Sequence, residues 1–212
     1  MAFSTFAKNL MLDALDETAT NGIKFWSLHT AYSTTGTNEL TGGSPAYARK
    51  GAVYGAAAAS SKASTAGPPA ATFDVPAGNT VAWVGRWDAV TVGNFHGMSP
   101  AGGGARRQMG SYSGDLAGNT IQSPAHGLAS GNQVVFWAEE GAVLPAPLAE
   151  GTIYFVIATG LTADVFEVSL TLGGAAVDIT AIGDGDVQKF TPEVFAGQGT
   201  YQVSSYPISL PG

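Results

Sequence analysis

The sequence predicts a mainly β protein: an N-terminal helix, a jelly-roll-like or sandwich β domain, and a second β module inserted into that domain. Helical periodicity is confined to the first stretch of the chain. Short runs rich in β-branched and aromatic residues, bounded by Gly, Pro, Asn and Ser, fill most of the remaining residues. Charge also breaks along the chain: over residues 115–190 nine carboxylates stand against one cation, Lys189, whereas residues 1–114 hold eight cations and six carboxylates. Such a break marks a unit that folds on its own terms. The expected division is therefore 1–113 plus 191–212 as an anchoring domain, with an acidic β module at 114–190.

Taken in order, residues 3–19 place Phe3, Phe6, Ala7, Leu10, Ala14 and Leu15 at helical spacing, with Ser4 or Thr5 as N-cap and Asn21-Gly22 as stop. From Ile23 to His29 the composition becomes that of a strand. A turn-rich loop at 33–45 precedes an extended segment at 46–54, and the alanine-rich 56–66 stretch is ambiguous between helix, small-residue strand and loop. Residues 71–75 and 80–88 look like a hairpin joined by Pro76-Ala77-Gly78-Asn79. Residues 99–119 read as a glycine-rich linker. In the acidic module strands are expected near 119–123, 133–138, 152–159, 164–170, 176–180 and 186–191.

Composition narrows the function classes. At 212 residues and 45% hydrophobic content the chain has ample material for packed cores. Charged residues are only 12%, about half the usual share of ~25%, which suits a surface covered by partners. The net charge of −7 argues against a nucleic-acid binder, and the Arg106-Arg107 pair is too short to form a basic patch. Cysteine is absent, which removes disulfides, thiolate catalysis and cysteine zinc sites together. The first residues lack the pattern of a signal peptide, and no stretch approaches a membrane span, so no membrane partner is expected and synthesis in a cytoplasm is.

Two sets of residues carry a resemblance. Asn9 to Leu15, Leu28-His29-Thr30-Ala31, the glycine-rich 39–44 loop, Tyr47-Ala48-Arg49, Thr72-Phe73-Asp74-Val75-Pro76 and Gly85-Arg86-Trp87-Asp88-Ala89 occur in the order seen in small tail-fibre-like or head-decoration-like structural proteins of tailed phages, which this segment resembles. Members of that family close with a strand after a glycine-rich turn, a role that residues 195–210 fit about 100 residues late. The intervening module is similar to a small β domain that recurs in phage structural proteins, through Ala125-His126-Gly127-Leu128, Gly131-Asn132-Gln133-Val134, Leu144-Pro145, the 151–156 run and the 173–178 run. The resemblance implies a virion surface protein and supports architecture more than activity.

Candidate chemistry is sparse. His29, His96 and His126 show no ligand spacing, and His126 is expected to bond across its own turn. Glu139 and Glu140 point to opposite faces of a strand and cannot pair as acid and base. Asp178, Asp184 and Asp186 lack the further carboxylates of a calcium loop. The 110–114 and 97–101 strings fail the serine-elbow pattern, and Gly102-Gly103-Gly104 lacks a phosphate-loop context. Trp83, Trp87 and Trp137, with Tyr154 and Phe155, are either core or a sugar-stacking platform.

No enzyme, cofactor or metal site is therefore expected. The expected function is a bacteriophage virion structural protein, a capsid-decorating or minor capsid protein, with a minor tail or short tail-fibre protein touching a host-surface glycan as the alternative. Its partners would be major capsid or tail proteins and further copies of itself, a trimer being one such state. Phe3, Phe6, Leu10, Arg106 and Arg107 are the candidate assembly residues.

Overall fold

The computed structural model describes residues 4–15, 18–59, 61–62, 71–102, 107–109, 116–139, 141–204 and 208–209. In chain order the elements are α1 (Thr5–Asp13), β1 (Phe25–His29), β2 (Lys50–Gly51), β3 (Ser61–Lys62), β4 (Ala71–Val75), β5 (Asn79–Val81), β6 (Trp83–Trp87), β7 (Phe95–Pro100), β8 (Arg107–Gln108), β9 (Ile121–Gln122), β10 (Gln133–Trp137), β11 (Tyr154–Val156), β12 (Val165–Phe166), β13 (Val168–Ser169), β14 (Asp186–Phe190), β15 (Glu193–Phe195), β16 (Gly199–Val203) and β17 (Ile208–Ser209). Among the described residues the protein is thus mainly β with one short helix, and every strand pairing is antiparallel. Two compact units divide the chain, Met1–Ala101 with Pro192–Gly212, and Gly102–Thr191.

In the first unit Ser4 caps α1, its hydroxyl accepting from Ala7 N at 3.2 Å. The helix is shorter than the 3–19 span its periodicity predicts. Leu15 N closes on Leu12 O at 3.1 Å, and Ile23 N takes Leu15 O at 2.9 Å, so the next helical turn loses an acceptor to the incoming strand. β1 then sits inside the sheet β2-β1-β6-β7. Its register with β6 runs from Phe25 opposite Trp87 to His29 opposite Trp83. Trp26, Leu28 and Val84 join Leu12, Ile23, Phe73, Val75, Val81 and Val203 in one core. Ser27 and His29 occupy the other face, as strand alternation requires.

The expected hairpin of 71–75 with 80–88 does not form. β4 pairs with β16, β5 with β15, and β6 with β1 and β7. Pro76 to Asn79 does turn the chain, but Gly78 N donates to Phe195 O at 2.7 Å. The turn is committed to the C-terminal segment, and that segment supplies the partners a local hairpin would have supplied. The extended 46–54 segment likewise reduces to β2, two residues at the sheet edge. Within the ambiguous 56–66 stretch, β3 is a strand, paired with β17.

The second unit centres on the sheet β13-β11-β10-β14-β8, with β9 and β12 as a separate pair. Val134 and Phe136 on β10 point into a core with Met109, Ile121, Tyr154, Val156, Phe166, Val168 and Val187. Parts of the expected linker at 99–119 are regular structure. β7 runs through Pro100, while β8 pairs with β14 and Met109 is buried. A lone methionine among Gly, Ser and Arg gives no periodic signal, so only its core neighbours reveal its role.

The expected strand at 176–180 is absent. Val177 N bonds Val168 O and Thr180 N bonds Ala146 O, both at 2.8 Å, so its backbone serves two segments and builds no ladder. The 164–170 strand splits into β12 and β13 because the two halves pair with different neighbours, β9 and β11. The two ends of this unit meet: a Cβ on Gly102, whose φ is +61°, would lie 2.8 Å from Thr191 O.

Candidate functional site

Helix α1 is amphipathic in an unusual sense. Lys8 and Leu12, four residues apart, face the body of the first unit and are buried. Phe6 and Leu10, also four apart, lie on the opposite side of the helix and are 78% and 64% exposed. The first helical turn contains no acidic residue and the last no basic one, and the face that carries Phe6 and Leu10 ends at the exposed Asp13, whose carboxylate accepts from Ala57 N at 2.9 Å. Helical spacing alone allows this stripe to pack on its own core or on a neighbouring subunit; Leu12 takes the core-facing place, and Phe6 and Leu10 stay exposed.

Of the remaining assembly candidates, Phe3 and Arg106 lie outside the described residues. Arg107 opens β8 in the second unit, exposed, with Nη1 donating to Ala125 O at 3.1 Å. It belongs to a different unit from Phe6 and Leu10, which are brought together by α1.

The aromatic candidates resolve against a sugar platform. Trp83 and Trp87 are buried in the first unit, and Trp137 and Tyr154 in the second, leaving only Phe155 half-buried. The histidines form no common site either. His126, in the second unit, accepts from Leu128 N at its Nδ1, 2.9 Å away, across its own turn, and its ring meets Phe166 at 5.0 Å. Among the described residues no group of three His, Asp or Glu side chains is placed to hold a metal ion. Asp184 bonds Gly185 N at 2.8 Å, and Glu140 and the 110–114 string lie outside the described residues.

What the sequence reading missed is a buried polar network on the back of β1. His29 Nδ1 is 2.8 Å from Thr37 O, and its Nε2 is 2.6 Å from Ser27 Oγ. A carbonyl only accepts, so Nδ1 carries the proton and Nε2 accepts from the serine hydroxyl. Ser27 Oγ in turn accepts from Trp87 Nε1 at 2.9 Å. Burial holds the His29 pKa below its ordinary value, against the raising effects of the Thr37 carbonyl and the Glu39 charge.

Arg49 completes the network. Its Nε and Nη2 grip the Glu39 carboxylate at 2.9 and 2.7 Å, its Nη1 donates to Ala89 O and Val92 O at 2.9 and 2.8 Å, and its guanidinium lies 3.6 Å from the centre of the Trp87 ring. Tyr47 donates to Glu39 at 3.1 Å and accepts from Leu28 N at 2.8 Å. Burial, then the Glu39 charge, pushes the Tyr47 phenol far above its ordinary pKa, so it stays a donor. The loop that Arg49 holds is clasped again by Asp88, which accepts from Asn94 N at 2.7 Å and from Asn94 Nδ2 at 2.6 Å. These two bonds hold the Asp88 carboxyl below its ordinary pKa.

A serine hydroxyl 2.6 Å from an imidazole nitrogen is the contact of an activated nucleophile. Here Ser27 and His29 are both fully buried, and a Cβ on Gly85 would come within 2.5 Å of both side chains. No substrate carbonyl fits between them and the strand, so the contact is a lock. The signal for it is legible in hindsight: Ser27 and His29, two residues apart, share one strand face, and Gly85, directly opposite Ser27, has no side chain to fill the space beside them.

Comparison with family models, with curated proteins and with solved structures found no match.

Proposed function

We propose that this chain is an accessory structural protein of a phage virion, a capsid-decorating or minor capsid protein that attaches through the exposed face of α1. The observation that carries this reading is the inverted helix: Lys8 and Leu12 face inward while Phe6 and Leu10 face solvent. A helix that turns two large apolar side chains to water is offering them to another surface. The first unit fits a jelly-roll-like sandwich on this reading, since the four-stranded sheet and the β4–β16 and β5–β15 ladders enclose one core. The acidic second unit, whose first and last residues adjoin, is then a module carried on a finished scaffold.

The test is the composition of purified virions from the source phage. Tens to hundreds of copies per particle support decoration. A handful of copies, with adsorption lost on deletion of the 102–191 unit, transfers the assignment to a tail or short-fibre role. Absence from the particle overturns the virion reading. Phe6→Glu with Leu10→Glu is expected to leave the fold intact, because both side chains are exposed, and to abolish incorporation; normal incorporation of that variant would refute docking through α1.

A further inference from the structure

We propose that His29 is a proton-operated latch for the 33–40 loop: the neutral ring holds the loop on β1, and protonation releases it. This goes beyond the virion reading and does not depend on it. The loop is attached at three places along one strand. Thr30 N bonds Asn38 O and Leu40 N bonds Leu28 O, each at 3.0 Å, and His29 Nδ1 bonds Thr37 O between them. Ser33 Oγ gathers the interior of the loop, accepting from Thr35 N and Thr37 N at 3.0 Å and from Thr37 Oγ1 at 2.9 Å.

The direction of every hydrogen bond around the ring is fixed in the neutral state. Trp87 Nε1 donates to Ser27 Oγ, Ser27 donates to His29 Nε2, and His29 Nδ1 donates to Thr37 O. A proton added to Nε2 points a second donor at Ser27, whose own hydrogen then loses its acceptor. Gly85 closes the space around both atoms, since a Cβ there would lie 2.5 Å from each. The ring is fully buried, so the new charge has no water.

The groups packed around the ring decide whether the charge is tolerated. β6 and β7 present Gly85, Trp87 and Phe95, none of which titrates, with the Phe95 ring 5.9 Å away. Glu39 on the loop favours the imidazolium and Arg49 opposes it. The Arg49 guanidinium that grips Glu39 offsets part of this attraction, and burial outweighs what remains, so the closed site still disfavours the charge. Opening the loop hydrates the ring and removes the conflict.

Linkage gives the sign. The open form takes up its proton near the ordinary histidine value, while the closed form resists, so opening gains as pH falls below about 6.5. Within that window the opening equilibrium rises by up to about tenfold per pH unit, one proton being bound per opening.

Amide hydrogen exchange on the full chain between pH 7.5 and 5.0, corrected for intrinsic rates, tests this. Protection at Thr30, Thr37 and Leu40 is expected to fall by up to about tenfold per unit below pH 6.5, while Phe73 and Tyr201 in the β4–β16 ladder keep theirs. In His29→Gln, which retains His96 and every other titrating group, loop protection is expected to be flat over the same range. Constant loop protection in the wild type, an equal loss across the ladder, or the same pH response in H29Q each overturns the proposal. If H29Q does not fold, the wild-type ring decides through its 15N shifts. Proton uptake that tracks loop opening supports the latch, and titration of the ring with loop protection unchanged refutes it.

Discussion

Replacing Arg49 tests whether the network on β1 holds the first unit together or merely decorates it. The Arg49 and Glu39 side chains are 8% and 18% exposed, so this ion pair is largely out of water. Breaking a buried pair by removing one partner costs about 3–5 kcal/mol, because the other charge is stranded. Arg49→Ala strands Glu39, drops the two carbonyl bonds to Ala89 and Val92, and uncovers the Trp87 ring. A loss of about 3–5 kcal/mol is expected.

Arg49→Lys is the sharper variant. A lysine keeps the charge and one contact to Glu39 but cannot grip the carboxylate with two nitrogens while also reaching both carbonyls. Hydrogen bonds to charged groups contribute about 1.5–3 kcal/mol each, and the loop carbonyls regain some of this from water, so about 2 kcal/mol is expected. The assay is urea unfolding by fluorescence in a Trp137→Phe background. Trp26, Trp83 and Trp87 then report the first unit alone. A loss below about 0.5 kcal/mol for Arg49→Lys, the value of an exposed ion pair, would refute the reasoning.

Phe136 lies between Tyr154 and Phe166 at ring distances of 5.5 and 6.4 Å, fully buried. Phe136→Ala is expected to cost about 3–5 kcal/mol in the unfolding of the second unit, measured by denaturant titration. Val92 is 84% exposed with φ +57°, a conformation that costs a β-branched residue about 1–2 kcal/mol. Val92→Asn keeps the backbone carbonyl that Arg49 binds and is expected to raise the melting temperature; a decrease would show that the valine side chain is needed. Glu167 is buried, and desolvation raises its pKa. The folded state therefore keeps this proton to higher pH than the unfolded chain, and the group contributes stability at low pH that is lost as pH rises through the folded value. Glu167→Gln is expected to raise the melting temperature at pH 7 and change it little at pH 4. An equal change at both pH values would contradict that assignment.

Legibility varied with how local the deciding interaction is. Ser4 as a cap and β1, β4, β10 and β14 as strands rest on short-range composition, and they stand where the sequence places them to within a few residues. The 71–88 hairpin failed because turn chemistry at Pro76 to Asn79 reports that the chain reverses and says nothing about which strand is waiting. β8 failed because two residues among glycines carry no period. The His29 network was hidden for a further reason. Its members come from β1, the 33–40 loop, Arg49 and β6, and each taken alone is an ordinary strand or loop residue.

The sequence by itself determined the class: a cysteine-free, mainly β chain with an N-terminal helix and a concentration of carboxylates over residues 115–190. Alternation, capping and turn residues act within a few positions, so they are written in the local order of side chains. Only the tertiary structure decided that α1 turns Phe6 and Leu10 outward, that the C-terminal strands complete β4 and β5, and that Arg49 grips Glu39 beneath a loop 40 residues further on. Contacts such as Ser44 N with Gln198 Oε1, 154 residues apart, are chosen by which surfaces remain unsatisfied after each strand forms. That is a property of the assembled chain, and no window along it contains both halves.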